Sequence, residues 1–323
     1  MPHTHQFHPR FPHTFIRFIR TRKGIGTSIL VLIILFGVAL GVTVLRHTPL
    51  THLAAYWNVQ GLHLYKVDQN GIEGTPGVIG AFGTSAQSIG TVYGYANNGG
   101  TEVAIVPSES TVGEDIRILG LSSRFLTTDG RGKSAVTVSP DGKMIAYAVI
   151  ADANAHTLYT TKLSAWNIQT VDVGTGTITD RGEGYAPQFV VRDGKEYLLY
   201  TTTSGVAVTE LDTGASYIAP LVSAQTVDSA VHLTNDGSYA FVRDMVSGKY
   251  VILQVTSLVP PKFSSVGETS EPFADVASFH GRVYGLVREP SSASLWQLDP
   301  AHPDTPYLIY RFLGTFLPDS LIQ

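Results

Sequence analysis

From about residue 50 onward, apolar and polar positions alternate in short runs, and turn residues interrupt these runs about every 8 to 12 positions. This alternation is typical of β-strands with one buried face. Before it stands a single uninterrupted apolar stretch, residues 24–45, whose length matches the roughly 20 residues that a helix needs to cross a bilayer. The sequence therefore predicts one transmembrane helix followed by an all-β domain.

The flanks of the apolar stretch predict its orientation. Five basic residues precede it, and the first acidic residue of the chain is Asp68. Basic flanks stay on the cytoplasmic side, so the N-terminus is expected inside and the β domain outside. A cleavable signal peptide is the alternative, but its apolar region is shorter and ends at a small-residue cleavage site. Here Arg46 and His47 close the stretch, which favours an uncleaved, single-pass anchor.

These patterns predict four segments. Residues 1–23 form a disordered, basic cytoplasmic tail, 24–45 the membrane helix, 46–60 a short spacer or first strand, and 61–323 the extracytoplasmic domain. The lipid bilayer is thus the first predicted partner.

A repeated hairpin organises the β domain. Each copy has two short strands around a tight turn, most clearly at Asp141-Gly142 and again at Asp193-Gly194, Asp236-Gly237, His280-Gly281 and near Gly100. The turn glycines are 42, 52, 43 and 44 residues apart. A period of about 40 to 45 residues with four strands per unit predicts the blades of a β-propeller.

The number of blades follows from the count of hairpins. Five hairpins of this type alternate with six others, which predicts six blades, with five or seven as alternatives. The ring closes at six if the segment from His52 or the C-terminal segment from Phe312 supplies the missing strands.

One hairpin carries a family resemblance. The run Ser139-Pro140-Asp141-Gly142-Lys143, followed by Ile145-Ala146-Tyr147, resembles the TolB-type, WD40-like propeller repeat. The resemblance extends over roughly residues 61–310 and weakens away from this blade. TolB itself has an additional N-terminal domain and a cleaved signal, so the resemblance implies the repeat class and its propeller fold only.

Composition and charge narrow the chemistry. Beyond residue 45 the chain has 17 basic residues (22 minus 5) against 26 acidic ones, and this acidic balance disfavours nucleic acid as a partner. The chain has no cysteine, so disulfides and thiolate sites are excluded. It also lacks any Asn-x-Ser/Thr acceptor, which favours a bacterial cell envelope over a glycosylated surface.

Catalytic motifs give little support to an enzyme. The sequence Asp212-Thr213-Gly214 matches the local signature of aspartic proteases, but it occurs once and falls where a hairpin must turn. The serine hydrolase elbow, the paired-histidine zinc motif and the P-loop are absent from the sequence. We therefore predict no catalytic residue, cofactor or metal ligand, and we expect His232, at an alternating strand position, to lie in the core.

The segments that lead into the innermost strands are the best candidates for a binding site, because in a propeller they surround the mouth of the central channel. A solvated loop face is the simpler alternative. The candidates are Asp129, Arg131, Lys133, Asp180, Arg181, Glu183, Tyr185, Asp228, Glu268, Glu271 and Asp275. Together these features predict a membrane-tethered module that binds an envelope protein or peptide. The alternative is a propeller-type lyase, lactonase or glycosidase with carboxylates converging in the channel.

Overall fold

The computed structural model describes residues 93–109, 112–120, 123–153, 160–221, 226–279, 281–313, 317–318 and 320–321, and the backbone of 50–58, 61–68 and 71–79. The predicted tail and membrane helix lie outside the described residues. Within the described residues, no helix is long and apolar enough to cross a membrane. The described residues belong to one compact unit, Leu50–Gln323.

Five four-stranded antiparallel sheets are each formed by consecutive strands. Their strands are β4 (Gly94–Asn98), β5 (Thr101–Pro107), β6 (Glu114–Ile118) and β7 (Arg124–Phe125); β8 (Lys133–Val138), β9 (Met144–Ile150), β10 (Trp166–Asp172) and β11 (Ile178–Glu183); β12 (Tyr185–Arg192), β13 (Lys195–Thr202), β14 (Gly205–Glu210) and β15 (Ser216–Ala219); β16 (Val231–Leu233), β17 (Tyr239–Arg243), β18 (Tyr250–Leu258) and β19 (Pro261–Glu268); and β20 (Asp275–Phe279), β21 (Arg282–Arg288), β22 (Ser292–Leu298) and β23 (Tyr307–Leu313).

A sixth four-stranded sheet joins the two ends of the described chain. It contains β1 (Leu50–Asn58), β2 (Gly61–Asp68), β3 (Gly71–Ile79) and β24 (Ser320–Leu321), in the order β24-β1-β2-β3. The segments from His52 and from Phe312 both supply strands to this sheet. Sheets of four strands are thus confirmed as the building unit.

In the Asp-Gly turns, the hydrogen bonds of the side chains and the backbone angle of the glycine both favour a tight turn. Ser139 Oγ and Lys143 N both donate to Asp141 Oδ1, at 2.8 and 3.0 Å, and Gly142 has a positive φ of 73°. The hydrogen bonds from Lys143 N and Ser139 Oγ lower the pKa of Asp141. Such side-chain bonds and a glycine in the left-handed region are what tight turns require.

The other predicted turns repeat this geometry with small changes. Asp236 Oδ1 accepts from Thr234 Oγ1 at 2.6 Å and precedes Gly237, whose φ is 65°. At Asp193-Gly194 both residues have positive φ, 54° and 74°, as in a two-residue hairpin turn. Gly281 has a φ of 73°, while His280 lies outside the described residues.

The core consists of layers between neighbouring sheets. Ile105 and Ile116 of one sheet pack with Ile145 and Tyr147 of the next, all fully buried. Similar layers fill the spaces between the following sheets, and the last one includes the partly buried Leu321 of β24. Stacked sheets thus bury their apolar side chains against one another, as in repeat folds whose units depend on their neighbours.

The first strands of successive sheets lie side by side. β4 contacts β8, β8 contacts β12, β12 contacts β16, β16 contacts β20, and β20 contacts β24. All these strands run in the same sense, so they define two faces. We call the face where β8, β12, β16 and β20 begin the mouth face, and the face with the Asp-Gly turns the turn face.

Candidate functional site

The mouth face holds several predicted site residues at the starts of first strands. Lys133, Tyr185 and Asp275 are the first residues of β8, β12 and β20. Asp129 and Asp228 lie in the connections just before β8 and β16, and both are exposed. These five residues lie at the starts of first strands or in the connections just before them.

Lys133 is fully committed to contacts within the protein. Its side chain is fully buried, and its ammonium group donates to Glu114 O at 2.8 Å, to Arg131 O at 3.2 Å and to the carboxylate of Asp129. Asp115 Oδ1, also buried, lies 3.4 Å away. The charge of Lys133 is neutralised and its donors are paired. Lys133 therefore connects the β4–β7 sheet to the β8–β11 sheet and does not face a ligand.

Tyr185 makes a similar connection one sheet further on. Its hydroxyl lies 2.8 Å from Ser134 Oγ of β8, and its ring meets that of Trp166 edge to face at a centroid distance of 5.3 Å. Burial raises the pKa of Tyr185. Beside these contacts, Ala135 and Ala186 have positive φ angles of 48° and 51° at register shifts in β8 and β12. Such bulges redirect neighbouring side chains, here Ser134 and Tyr185.

Gln188 connects β12 to the exposed edge of β16. Its Oε1 accepts from Leu233 N at 2.7 Å, and its Nε2 lies 3.3 Å from His232 Nδ1. A glutamine can satisfy both partners at once because its amide carries a donor and an acceptor. This bond fixes the position of His232, which is half-buried instead of fully enclosed in the core.

His232 belongs to a polar group that we call the His232 cluster: His232, Arg243, Tyr250 and Asp275. The rings of His232 and Tyr250 meet edge to face at a centroid distance of 6.5 Å, and Arg243 pairs with Tyr250 across β17 and β18. Asp275 interacts electrostatically with His232, Arg243 and Tyr250. Two neighbouring sheets thus contribute to one site on the mouth face.

Burial sets the protonation of this cluster. It lowers the pKa of His232, against the opposing influence of Asp275, and it raises the pKa of Asp275. Burial also raises the pKa of the Tyr250 hydroxyl. Asp275 Oδ1 and Oδ2 accept from Val276 N and Leu321 N, each at 2.8 Å. Burial therefore favours the neutral imidazole of His232, and Asp275 opposes this effect.

Arg243 also borders a cavity. Its Nε atom is buried without a hydrogen-bond partner among the described residues. The cavity, of about 530 Å³, lies between the β12–β15 and β16–β19 sheets. Leu221, Val242, Leu253 and Phe263 form the apolar part of its lining, and Asp244 and Glu268 line it together with Arg243. An apolar cavity beside a few fixed polar groups is the usual form of a binding pocket.

The other predicted residues lie outside the His232 cluster. Asp180, Arg181 and Glu183 lie on β11, the outermost strand of its sheet, where Arg181 Nε donates to Thr170 Oγ1 at 3.1 Å. Glu268 and Glu271 are exposed at and after the end of β19, another outermost strand, and Glu268 also lines the cavity beside Arg243. Arg131 donates to the carbonyls of Ile150 and Ala151.

Several residues of the site were not predicted from the sequence. Gln188, Arg243 and Tyr250 lie on strands, and Glu114 and Asp115 begin β6. The sequence signal that could have identified them is a polar residue at a buried strand position. Gln188 is such a residue, since it is 5% exposed and lies within an apolar run. Among the described residues, no three histidines or acids are grouped so that they could hold a metal ion.

This chain is similar to known proteins in its fold. No family profile matches the sequence, and neither does any curated protein. TolB from Acinetobacter baumannii superposes with a TM-score of 0.50 at 14% identity, covering 84% of this chain and 66% of its own. The fold is a β-propeller. The predicted resemblance to the TolB-type, WD40-like repeat class is thereby confirmed at the level of fold.

Two further solved structures superpose with TM-scores below 0.5. A protein from Lactobacillus plantarum gives a TM-score of 0.48 at 15% identity, covering 85% of this chain and 99% of its own. The β-propeller domain of Cps50 (Swd1) from Myceliophteria thermophila gives 0.47 at 12% identity, covering 84% and 89%.

Proposed function

We propose that this propeller is a membrane-tethered, extracytoplasmic module of the cell envelope that binds a protein or peptide at its mouth face. One observation carries the proposal: Arg243 belongs both to the His232 cluster and to the wall of the 530 Å³ cavity. A polar anchor and an apolar cavity therefore lie side by side, and this combination suits a peptide better than a small ion.

The two parts of the site have complementary roles. An apolar side chain of the partner would fill the cavity lined by Leu253 and Phe263, while its backbone carbonyls or a carboxylate would accept from Arg243. Interfaces draw most of their affinity from a few anchors of this kind in desolvated pockets. The exposed Val246, in the loop after Arg243, would lie at the edge of the contact.

The tether and the closed ring are part of the proposal. Residues 24–45 would anchor the chain, and the terminal sheet would close the ring as a sixth blade after the five formed from β4 to β23. The contacts of β24 with β20 and of β3 with β23 support this closure on one side. Pairing both chain ends in one blade removes the free edges of an open array.

Site-specific crosslinking tests the binding role. A photo-reactive residue in place of Val246, on the mouth face, should capture a defined protein from intact membranes of the source organism. The same residue in place of the exposed Asp212, in the turn between β14 and β15, is the matched control. No product above background at Val246, or equal products at both positions, would count against binding at the mouth.

A propeller-type enzyme is the second candidate, and one observation favours it. Burial lowers the pKa of His232 and raises that of Asp275, and shifted pKa values of neighbouring groups are common in active sites. This reading predicts turnover of a lactone, a glycoside or a uronide polymer that Asp275→Asn abolishes. If the protein turns over none of these substrates, the proposal of an enzyme is wrong.

A further inference from the structure

The cavity bordered by Arg243 has two acidic residues at its mouth-face end. β16 begins at the mouth face, and each strand of its sheet is antiparallel to the next, so β17 and β19 both end there. Glu268 is the last residue of β19, and Asp244 directly follows the last residue of β17. Both residues line the cavity.

The register of the sheet places Glu268 beside the apolar part of the lining. Glu268 pairs with Val251, and Val251 pairs with Val242. Residues directly opposite each other on neighbouring antiparallel strands share one face of the sheet. Val242 belongs to the core layer between the β12–β15 and β16–β19 sheets, so Glu268 lies on the face of its sheet that borders the cavity.

The carboxylate of Glu268 has no partner in the described part of the chain. Its side chain is exposed, and no described residue forms a hydrogen bond or an ion pair with it. Glu210, in contrast, accepts from Lys195 Nζ at 2.5 Å. Lys249, in the turn between β17 and β18, does not line the cavity and forms no ion pair with Glu268 among the described residues. Glu268 is therefore available to a cation of a partner.

The second carboxylate, that of Asp244, is fixed in place by its own turn. Its Oδ2 accepts from Ser247 Oγ at 2.6 Å and from Ser247 N at 3.2 Å, and its Oδ1 accepts from Val246 N at 3.0 Å. These hydrogen bonds lower the pKa of Asp244, so the group stays ionised near neutral pH. A carboxylate has about four acceptor positions, which leaves capacity for one more donor.

The charges of the lining do not cancel. Two carboxylates stand against the single guanidinium of Arg243, and Arg243 also interacts electrostatically with Asp275 of the His232 cluster. Arg243 forms no ion pair with Asp244 or Glu268 among the described residues. The cavity therefore has an acidic end next to an apolar wall.

We propose that the cavity selects a partner segment in which an apolar residue stands next to a lysine or arginine. The apolar side chain packs against Leu253 and Phe263, and the neighbouring cation meets Glu268 and Asp244 at the mouth-face end. This inference rests on the proposed binding role and names the chemistry of the partner. The long aliphatic stem of a lysine or arginine can lie along apolar surface while its charged end stays at the rim.

Charge complementarity also decides against other occupants. An acidic segment would bring a third carboxylate to two that are already there, and like charges at an interface suppress a wrong partner. A metal ion needs several ligands at once, and among the described residues no three acids or histidines are grouped to supply them. An exposed apolar pair, Met245 and Val246, follows Asp244 directly and adds contact area for a peptide chain.

Selection from a library of random short peptides displayed on phage can test this inference, with the full-length protein as the target. The wild-type protein should enrich peptides that have lysine or arginine next to an apolar residue, several-fold over the unselected library. Glu268→Lys should lose this enrichment. A selected peptide, measured at low salt, should bind Glu268→Lys about tenfold or more weakly than the wild type, and Glu268→Gln should be intermediate.

Glu271→Lys is the matched control, because Glu271 is also exposed and close in the chain but does not line the cavity. It changes the net charge equally and should select the same peptides as the wild type. All variants should keep the wild-type thermal midpoint, since both positions are exposed.

The outcomes separate the charge selection from the binding role. Peptides without a preference for basic residues, or the same preference in Glu268→Lys, would overturn the inference and leave a binding module in place. A loss of the preference in Glu271→Lys as well would overturn the role of the cavity. A wild-type protein that selects no peptide would also overturn the inference, and crosslinking at Val246 would then decide separately whether the mouth face binds a protein.

Discussion

At the scale of single residues, Lys133 has a charged side chain that is fully buried. Its buried side chain neutralises Asp115 between two blades. Removing one partner of a buried ion pair leaves an uncompensated charge and costs about 3 to 5 kcal/mol. We therefore expect Lys133→Met to lower the free energy of unfolding by about this amount, measured by urea denaturation.

The matched control for that substitution is Lys143→Met. Lys143 Nζ lies 3.2 Å from Asp141 Oδ2, but its side chain is 80% exposed. Exposed pairs contribute about 0 to 1 kcal/mol. If both variants lost the same stability, the buried connection between the blades would not have the role that its geometry indicates.

His232 should give the protein a pH dependence of known sign. Because burial lowers its pKa in the folded state, the unfolded chain binds the proton more tightly. Stability should fall as the pH decreases below about 6.5, the ordinary pKa of histidine, and continue to fall until the folded-state pKa is passed. Asp275, with its raised pKa, contributes the opposite slope, so the informative quantity is the difference between variant and wild type.

Unfolding curves of His232→Gln between pH 7.5 and 5 can measure this dependence. The variant should lose the part of the acid destabilisation that His232 causes, since glutamine keeps a hydrogen-bonding group beside Gln188. His302→Gln, at an exposed position, is the control and should follow the wild type. A His232→Gln curve parallel to the wild type at every pH would contradict a buried, neutral imidazole.

The residue scale is also where the sequence is least informative about the site. Arg243 and Gln188 function through partners on neighbouring blades, and their pairing depends on how sheets stack, which no local pattern encodes. His232 was expected in the core, and it is held by Gln188, but it is half-buried among ionisable groups. Of the predicted candidates, Asp275 alone belongs to the His232 cluster.

At the scale of elements, the turns were predictable because their chemistry is local. Asp-Gly pairs require positive φ, and four of the predicted turn glycines have φ between 65° and 74°. The outermost strands could not be predicted, because the sequences of an edge strand and of a connecting loop are both polar. For this reason Asp180, Arg181 and Glu183 were expected in a connecting segment, whereas they lie on β11, which ends at Glu183, two residues before β12 begins at Tyr185.

Two turn glycines with the same backbone conformation differ in their surroundings. A Cβ at Gly142 would lie 2.6 Å from Gly99 O, in the turn of the neighbouring blade, whereas a Cβ at Gly194 would meet nothing within 4 Å. Both substitutions to alanine carry the strain of positive φ, about 1 to 2 kcal/mol. Gly142→Ala must in addition displace a backbone.

We therefore expect Gly142→Ala to be clearly more destabilising than Gly194→Ala in thermal or urea unfolding. The comparison isolates the packing of turn against turn, since the local strain is shared. Equal losses would mean that the two turns move apart freely, contrary to the contact of Thr101 Oγ1 with Gly142 O at 2.8 Å.

At the scale of the whole molecule, the first and last strands of the described chain meet in one sheet, and this could be predicted only as a condition for closure. Strand β24 has two residues, too short to be recognised in a sequence. It is held from two sides: Leu321 pairs with Ala54 of β1, and its N–H donates to Asp275 of β20. The same carboxylate thus contributes to the candidate site and to the joining of the chain ends.

That double role yields a final prediction. Leu321→Ala removes the packing of the side chain but keeps the N–H, whereas Leu321→Pro also removes the donor to Asp275. We expect the proline variant to be less stable than the alanine variant by about 1 to 3 kcal/mol, the cost of leaving a buried acceptor without its partner. Because the terminal sheet also holds the start of the chain, the loss should appear in thermal unfolding as a lower midpoint of the whole propeller. Two variants of equal stability would show that the bond to Asp275 does not fasten the end of the chain.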